Sequence, residues 1–437
     1  MFQVLRNAWK VAELRKKILY TGLIILVFRI GSAIFVPFLD TTVVQGMLTG
    51  GENTLLGFMN TMTGGALGNG TLFALSIMPY INASIIMQLL TVAIPVLERL
   101  SKEGDEGRKK INTITKFLAL GIGVFQAVAF YVTLRGNGAV LHTNGFDGFL
   151  AMITIVGCFT AGSSLIIWLG DQINEKGIGN GISMILFAGI VSRLPISIYE
   201  LIRQMQVQET SGFHQNFVLI PLYLALYIAM IALVVLMTNA ERRIPVQYAK
   251  RVVGRKMYGG QSSHIPIKVA MAGVMPIIFA MSIMSLPQTI LFFFGIRDPS
   301  AGGFWGTFLR YFNQGTWIYA VIYFFMIIGF NYFYISIQYN PIEIANNLKK
   351  NNGAIPGYRP GKPTSDFIYN SLSKITLIGA IFLGFIAIFP IVFSNVTNIH
   401  GMAMGGTTML ILVGVSLETM RSLEGQMMMR HHKGFLE

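Results

Sequence analysis

Phe149-Leu-Ala-Met-Ile-Thr-Ile-Val-Gly-Cys-Phe-Thr-Ala-Gly-Ser-Ser-Leu-Ile-Ile-Trp-Leu-Gly170 contains no charged residue. Wound as an α-helix at about 1.5 Å per residue, these 22 residues reach about 33 Å, enough to cross a hydrocarbon layer about 30 Å thick. Asp147 precedes the run and Asp171 follows it, so charge begins where the apolar layer would end. Cys158, the one cysteine, lies inside the run, which excludes an intramolecular disulfide and any cysteine-based metal cluster.

Outward from this segment the pattern repeats. Similar apolar stretches run from Ile18 to Phe38, Thr71 to Pro95, Phe117 to Leu134, Ile182 to Leu201, Phe217 to Thr238, Val269 to Phe294, Trp317 to Gln338, Ile375 to Ser394 and Gly405 to Thr419, giving ten spans. Arg193 and Pro195 interrupt the outer third of the fifth. A chain of 437 residues with 53% hydrophobic and 12% charged residues cannot cover itself with a water-facing exterior, and its mean hydropathy of +0.60 agrees. The class is an all-α polytopic membrane protein. No HExxH and no GxxxxGK[ST] occurs, and Gly177-Ile-Gly-Asn-Gly181 has the wrong spacing for a dinucleotide loop, so the chain carries no recognisable nucleotide motor and is read as no enzyme.

Lys and Arg alternate in density along the inter-span segments. Counting by side, 27 fall on one face and five on the other, with Arg29 inside span 1. The positive-inside rule then places both termini in the cytosol. Residues 2–17 read as an amphipathic interfacial helix leading into span 1 rather than as a cleaved leader. Five spans in each half put equivalent helices in opposite orientations, the arrangement of inverted repeats, with a seam near Thr210 to Gln215.

Ion-coupled transporters place ionisable groups near the midplane, and this chain has almost none there. Arg29 is expected to snorkel or to bond neighbouring helix carbonyls. Length is invested instead in two cationic segments, 239–268 and 339–374, the second containing the turn formers Ile355-Pro-Gly-Tyr-Arg-Pro-Gly361. Each reads either as a solvated topogenic loop or as a docking site for a large acidic partner. On the other face, Leu55 to Leu67 is too short to span and too apolar to float free, so it folds back as a half-helix lining a cavity or packs on the rim. Ile81 and Ile85 share one face of span 2, where Asn82 and Gln88 add amides that need partners.

Two long segments, Thr71-Leu-Phe-Ala-Leu-Ser-Ile-Met-Pro-Tyr-Ile-Asn-Ala-Ser-Ile-Ile-Met-Gln-Leu-Leu90 and Trp168-Leu-Gly-Asp-Gln-Ile-Asn-Glu-Lys-Gly-Ile-Gly-Asn-Gly-Ile-Ser183, closely resemble the signature segments of the SecY family of bacterial protein-translocation channels. Lys268 to Phe279, Asn347 to Lys350, Gly357 to Gly361, Gly405 to Thr407 and Lys433 to Leu436 match as well, so the resemblance covers the whole chain. Ser76 departs from it, standing where the family has glycine, and suggests looser packing of span 2.

The resemblance implies two inverted five-helix halves around an hourglass pore, opening sideways between spans 2 and 7. It implies an amphipathic helix over 1–17, an N-terminal half over 18–209, a C-terminal half over 210–422 and a cytosolic tail over 423–437. By the same resemblance Ile81, Ile85, Leu186, Ile190, Ile278 and Ile411 form the pore ring. Leu56, Phe58, Met59, Asn60, Met62, Thr63, Gly64 and Gly65 belong to a plug at about 55–67. Asn82, Gln88, Ser282 and Ser285 line the lateral gate, where Gln88 is expected to bond the two serines across the closed seam. Arg255, Lys256 and Arg359 stand at positions that dock the ribosome or a motor, Lys256 where arginine is common. Implied partners are the small membrane subunits SecE and SecG, the motor ATPase SecA, the ribosome with its RNA at the cytosolic loops, signal peptides and nascent polypeptides, and membrane lipid. Implied, too, is the bacterial inner membrane, with no cofactor. An inverted-repeat secondary transporter is the alternative; it needs a midplane binding constellation that the sequence lacks.

Overall fold

The computed structural model describes residues 2–48, 60, 62–206, 215–248, 251–253, 256–258, 262–293, 307–308, 311–312, 316–397 and 406–431. A short helix, α1 (Phe2–Lys10), stops at Val11, whose backbone is extended, and α2 (Ala12–Gly31) begins at once. The amphipathic segment is thus shorter than 2–17, because residues 12–17 already belong to the helix of the first apolar run. Asp40 caps α3 (Thr41–Leu48) by accepting from the Thr42 amide at 2.9 Å and its hydroxyl at 2.6 Å.

The second apolar run is not one helix. Residues 71–77 form turns, α4 (Met78–Ala93) starts with Pro79 in its first turn, and the chain bends by 100° at Ile94 into α5 (Pro95–Lys102). Pro95 explains the break, since it disfavours helical backbone at Ile94 and cannot donate to the preceding turn. Then come α6 (Asp105–Gly136) and α7 (Gly145–Lys176), each of 32 residues. Asp105 and Glu106 open α6 and Arg135 closes it, complementing the helix dipole. Next come α8 (Gly181–Gln206), which continues through Pro195 where an interruption was expected, and α9 (Gln215–Asn239).

Between α9 and α10 (Met275–Phe293) lie β1 (Glu241–Tyr248), β2 (Arg251–Val253), β3 (Lys256–Tyr258) and β4 (Ser262–Lys268). Beyond α10 follow α11 (Trp317–Gln338), α12 (Pro341–Lys350), β5 (Gly353–Ala354), α13 (Lys362–Thr397) and α14 (Gly406–His431). By length and apolarity the described residues give six membrane-crossing helices, or seven if bent α4 and α5 count as one. The sequence runs give ten; the remaining three fall on α2, whose charges lie in its first turns and at Arg29, on α10, and on α14, whose charges begin at Glu418.

One large apolar cluster draws buried side chains from α2, α4, α7, α8, α9, α10, α11, α13 and α14. A second, around Leu67, Phe130 and Phe159, closes one end. Large apolar residues such as Leu26, Phe117, Phe125, Ile228 and Phe325 point outward, as a lipid-facing surface requires.

At the basic end, β1 pairs with β4 from Glu241 opposite Lys268 to Gln247 opposite Ser262, and β5 adds to its other edge. Ile244, Val246 and Ile267 turn inward onto Leu348, Ile355, Ile368, Leu372 and Ile375. The two long cationic segments are therefore one platform with a shared apolar base.

Candidate functional site

Ile81 and Ile85 on α4, Leu186 and Ile190 on α8, Ile278 on α10 and Ile411 on α14 are all buried and all belong to the large cluster. Four helices thus bring six aliphatic side chains into one body of contacts. Met62 and Ala66 of the segment before α4 join that same cluster.

This segment turns tightly. Gly64 and Gly65 have φ of 67° and 91°, a region glycine enters without steric cost. Asn60 ties the turn together: its carbonyl accepts from the Gly65 amide at 2.8 Å and the Thr63 hydroxyl at 3.0 Å, and its side-chain oxygen accepts from the Gly68 amide at 2.8 Å. Thr63 Oγ1 accepts from the Leu67 amide at 3.2 Å. A methyl group added at Gly189 on α8 would strike the Met62 carbonyl, so the fold brings the segment onto α8 beside Ile190. Of the expected plug residues, Asn60, Met62, Thr63, Gly64 and Gly65 are placed here, whereas Leu56, Phe58 and Met59 lie outside the described residues.

Arg29 is exposed, and its Nη1 donates to Ser192 Oγ at 3.0 Å; among the described residues it makes no bond to a helix carbonyl. Ser76 has φ of 49°, is buried, and its hydroxyl has no partner. The departure from glycine is therefore backbone strain in a packed setting rather than the looser packing expected from sequence.

The seam expected between spans 2 and 7 exists as a contact, since α10 packs against α4 and α6. Among the described residues Gln88 makes no hydrogen bond to either serine. Ser285 Oγ donates to the Ser282 carbonyl of its own helix at 2.7 Å, and Ser282 Oγ is buried without a partner. Asn82 and Gln88 are half-buried and neither makes a side-chain hydrogen bond among the described residues. At Ser285 the preceding turn of its own helix supplies an acceptor for the hydroxyl.

The glycine-rich turn after α7 is a clasp. Asn174 Oδ1 accepts from the Gly181 amide at 2.7 Å, and Asn180 Oδ1 accepts from the Ile182 amide at 3.1 Å, capping α8. The Ile178 amide donates to Thr21 of α2 at 3.1 Å, and Thr419 of α14 donates to the Met184 sulfur at 3.4 Å.

On the platform, Arg359 is exposed between Gly357 and Gly361, with φ of 86° and 110°. Its carbonyl accepts from Thr364 Oγ1 at 2.8 Å, and the ring of Tyr358 rests on Phe367 at 4.3 Å. Lys256 begins β3, and Arg255 lies outside the described residues. Glu241 is held below its ordinary carboxylate range first by the hydrogen bond from Arg243, at 2.7 Å. Burial, followed by the charge of Arg421, lowers the Lys268 ammonium.

The SecY family model matches residues 71–420, taking in the segment's turn into α4, the clasp and the platform. The chain belongs to the SecY family. The protein translocase subunit SecY of Halalkalibacterium halodurans is 41% identical over 440 residues, with both chains covered completely. A solved SecY channel, described by its plug domain that stabilises the closed state and maintains a membrane seal, shares the fold at a TM-score of 0.63 and 19% identity, covering 94% of this chain and 91% of that one. Canine Sec61 from a ribosome–channel complex matches at 0.60 and 19%, with the same coverage. SecY is a family of membrane-embedded protein-translocation channels, not of enzymes, and a transporter finds no support among these relatives.

Sequence reasoning missed three features of this SecY-family chain: the Arg29–Ser192 bond, the strain at Ser76 and the β-structured platform. A signal existed for two of them, an arginine within an apolar run and a serine in place of a turn glycine.

Proposed function

We propose that this chain passes unfolded secretory polypeptides through a pore ringed by Ile81, Ile85, Leu186, Ile190, Ile278 and Ile411, and releases transmembrane segments sideways between α4 and α10. The observation that carries the reading is the burial of those six aliphatic side chains in one cluster with Met62 and Ala66. A channel that must pass any sequence offers no specific polar contacts, and flexible aliphatic side chains close around varied cross-sections. Residues 55–67 act as the plug, a role named for the solved relative, and the turn at Met62 to Gly65 that lies against α8 supports it. Lacking a nucleotide loop, the chain takes its driving force from SecA or a gradient.

Ten spans in two inverted halves, over 18–209 and 210–422, with both termini in the cytosol of a bacterium, fit the 27-to-five charge division. The platform then faces the cytosol, and Arg255, Lys256 and Arg359 engage SecA or the ribosome and its RNA; that solved canine Sec61 comes from a ribosome–channel complex supports a ribosome partner. SecE and SecG complete the complex in the membrane. Reconstitution with SecE, SecG, SecA, ATP and a secretory precursor tests the function. Precursor protected from external protease only with ATP is the expected result, and protection equal to that of chain-free vesicles overturns it.

A further inference from the structure

We infer that Arg29 and Ser192 form a latch that holds the plug in its closed seat, with Gly64 as the point they close on; the inference rests on residues 55–67 being the plug. Two helices supply the latch. Arg29 of α2 donates from Nη1 to Ser192 Oγ of α8 at 3.0 Å, and Ser192 Oγ donates in turn to the Gly189 carbonyl at 2.6 Å. This guanidinium–hydroxyl–carbonyl chain meets the segment at one residue. A β-carbon built on Gly64 would stand 2.7 Å from Arg29 Nη1 and 2.7 Å from Ser192 Oγ, closer than real side chains approach, and a tight 3.0 Å from the Gly189 oxygen. From the other side, a β-carbon on Gly189 would collide with the Met62 carbonyl. Both faces of the contact are thus glycine, and Gly64 has a left-handed φ that other residues enter only with strain.

The chemistry suits a closure that must release. An arginine within an apolar run is costly unless it finds a polar partner or reaches water. Here the guanidinium is paired with a neutral hydroxyl, and no carboxylate lies within ion-pair distance among the described residues. A neutral partner holds a cation more weakly than a carboxylate does, so an entering chain can displace it. Arg193 stands at the neighbouring position, its Nη1 3.5 Å from a β-carbon built on Gly65, and its Nε is buried without an acceptor. The latch is therefore built from two cations around Gly64, Gly65 and Gly189, and it adds to the packing of the Met62 and Ala66 side chains in the main cluster.

The alternative is a plain staple between α2 and α8 that ignores the segment. Resting ion conductance of the full-length chain, reconstituted with its membrane subunits in planar bilayers, separates the two. Ser192→Ala, Arg29→Gln and Gly64→Ala are each expected to raise conductance several-fold, and Arg29→Lys by less because the charge stays while the fork is lost. The same Ser192 and Arg29 substitutions in a channel lacking residues 55–67 are expected to add nothing to the conductance of that deletion. Equal increments with and without the segment overturn the latch in favour of the staple. Wild-type conductance in Ser192→Ala and Gly64→Ala, with the deletion itself leaky, overturns the latch and leaves the plug. A deletion that conducts like wild type refutes the plug reading and the latch with it. Ser192→Ala removes one hydroxyl only, so the outcome is read even if Arg29→Gln does not assemble.

Discussion

Arg421 of α14 donates from one nitrogen, Nη2, to the Thr238 carbonyl at 2.7 Å and to Asn239 Oδ1 at 2.9 Å. The C-terminal helix thereby caps α9, where the last carbonyls lack helical partners and the dipole is negative. Arg421→Gln is expected to cost about 1–2 kcal/mol, read as a lower melting temperature of the purified complex. Arg421→Lys keeps the charge and is expected to restore part of it. An unchanged melting temperature in Arg421→Gln refutes the cap.

Ser76→Gly is expected to stabilise the chain. A non-glycine residue at φ of 49° costs about 1 kcal/mol, and its orphaned hydroxyl about 1 kcal/mol more, against about 0.5–1 kcal/mol of backbone entropy for glycine. Ser76→Ala removes only the hydroxyl cost, so the order of stability is Gly above Ala above Ser. Chemical unfolding that ranks Ser76→Gly below wild type contradicts the strain.

Hydropathy made the helices legible because a bilayer satisfies no backbone polar group, so each crossing leaves a run such as Phe149 to Gly170. The ring residues came from the resemblance and not from periodicity, since Ile81 and Ile85 alone look like ordinary packing. The platform was illegible for a physical reason. Ile244 and Val246 alternate as a strand should, but Pro245, opposite His264, and Pro266, opposite Arg243, are residues that argue against strands, and the surrounding arginines resemble a solvated loop. Gln88 misled for another: two serines at suitable positions do not reveal that Ser285 turns back on its own helix.

Ile278→Asn places an amide among aliphatic neighbours in the main cluster, where it favours hydration and costs burial without a partner. Ion leak through the resting channel is expected to rise, as is export of precursors with defective signal sequences. Wild-type leak and stringency at normal protein levels remove Ile278 from the ring.

Asp40 sets a pH limit on α3. Hydrogen bonds from the Thr42 hydroxyl and amide lower its pKa below the ordinary 3.8, so the carboxylate is favoured in the folded chain. Its stabilisation is fully present above pH 3.8 and is lost as pH falls through the lowered folded value. Hydrogen exchange of amides in 41–48, corrected for intrinsic rates, is expected to accelerate in that window. Asp40→Asn, which keeps an acceptor oxygen, flattens the dependence. Acceleration that persists in Asp40→Asn assigns it to another group.

Arg359 is presented rather than buried. Ile355 anchors the turn in the platform's apolar base, Tyr358 stacks on Phe367, and the two left-handed glycines at 357 and 361 fix the backbone on either side. Its guanidinium makes no hydrogen bond or ion pair among the described residues, so the cost of ordering the loop is met before a partner arrives. A planar fork in that position pairs bidentately with a carboxylate or phosphate, where lysine offers a point charge. Arg359→Glu is expected to cripple SecA-driven, ATP-dependent export while the channel still assembles, and Arg359→Lys to retain partial activity. Normal ATP-driven translocation by Arg359→Glu, or a defect that tracks entirely with loss of folded channel, removes the motor from this loop.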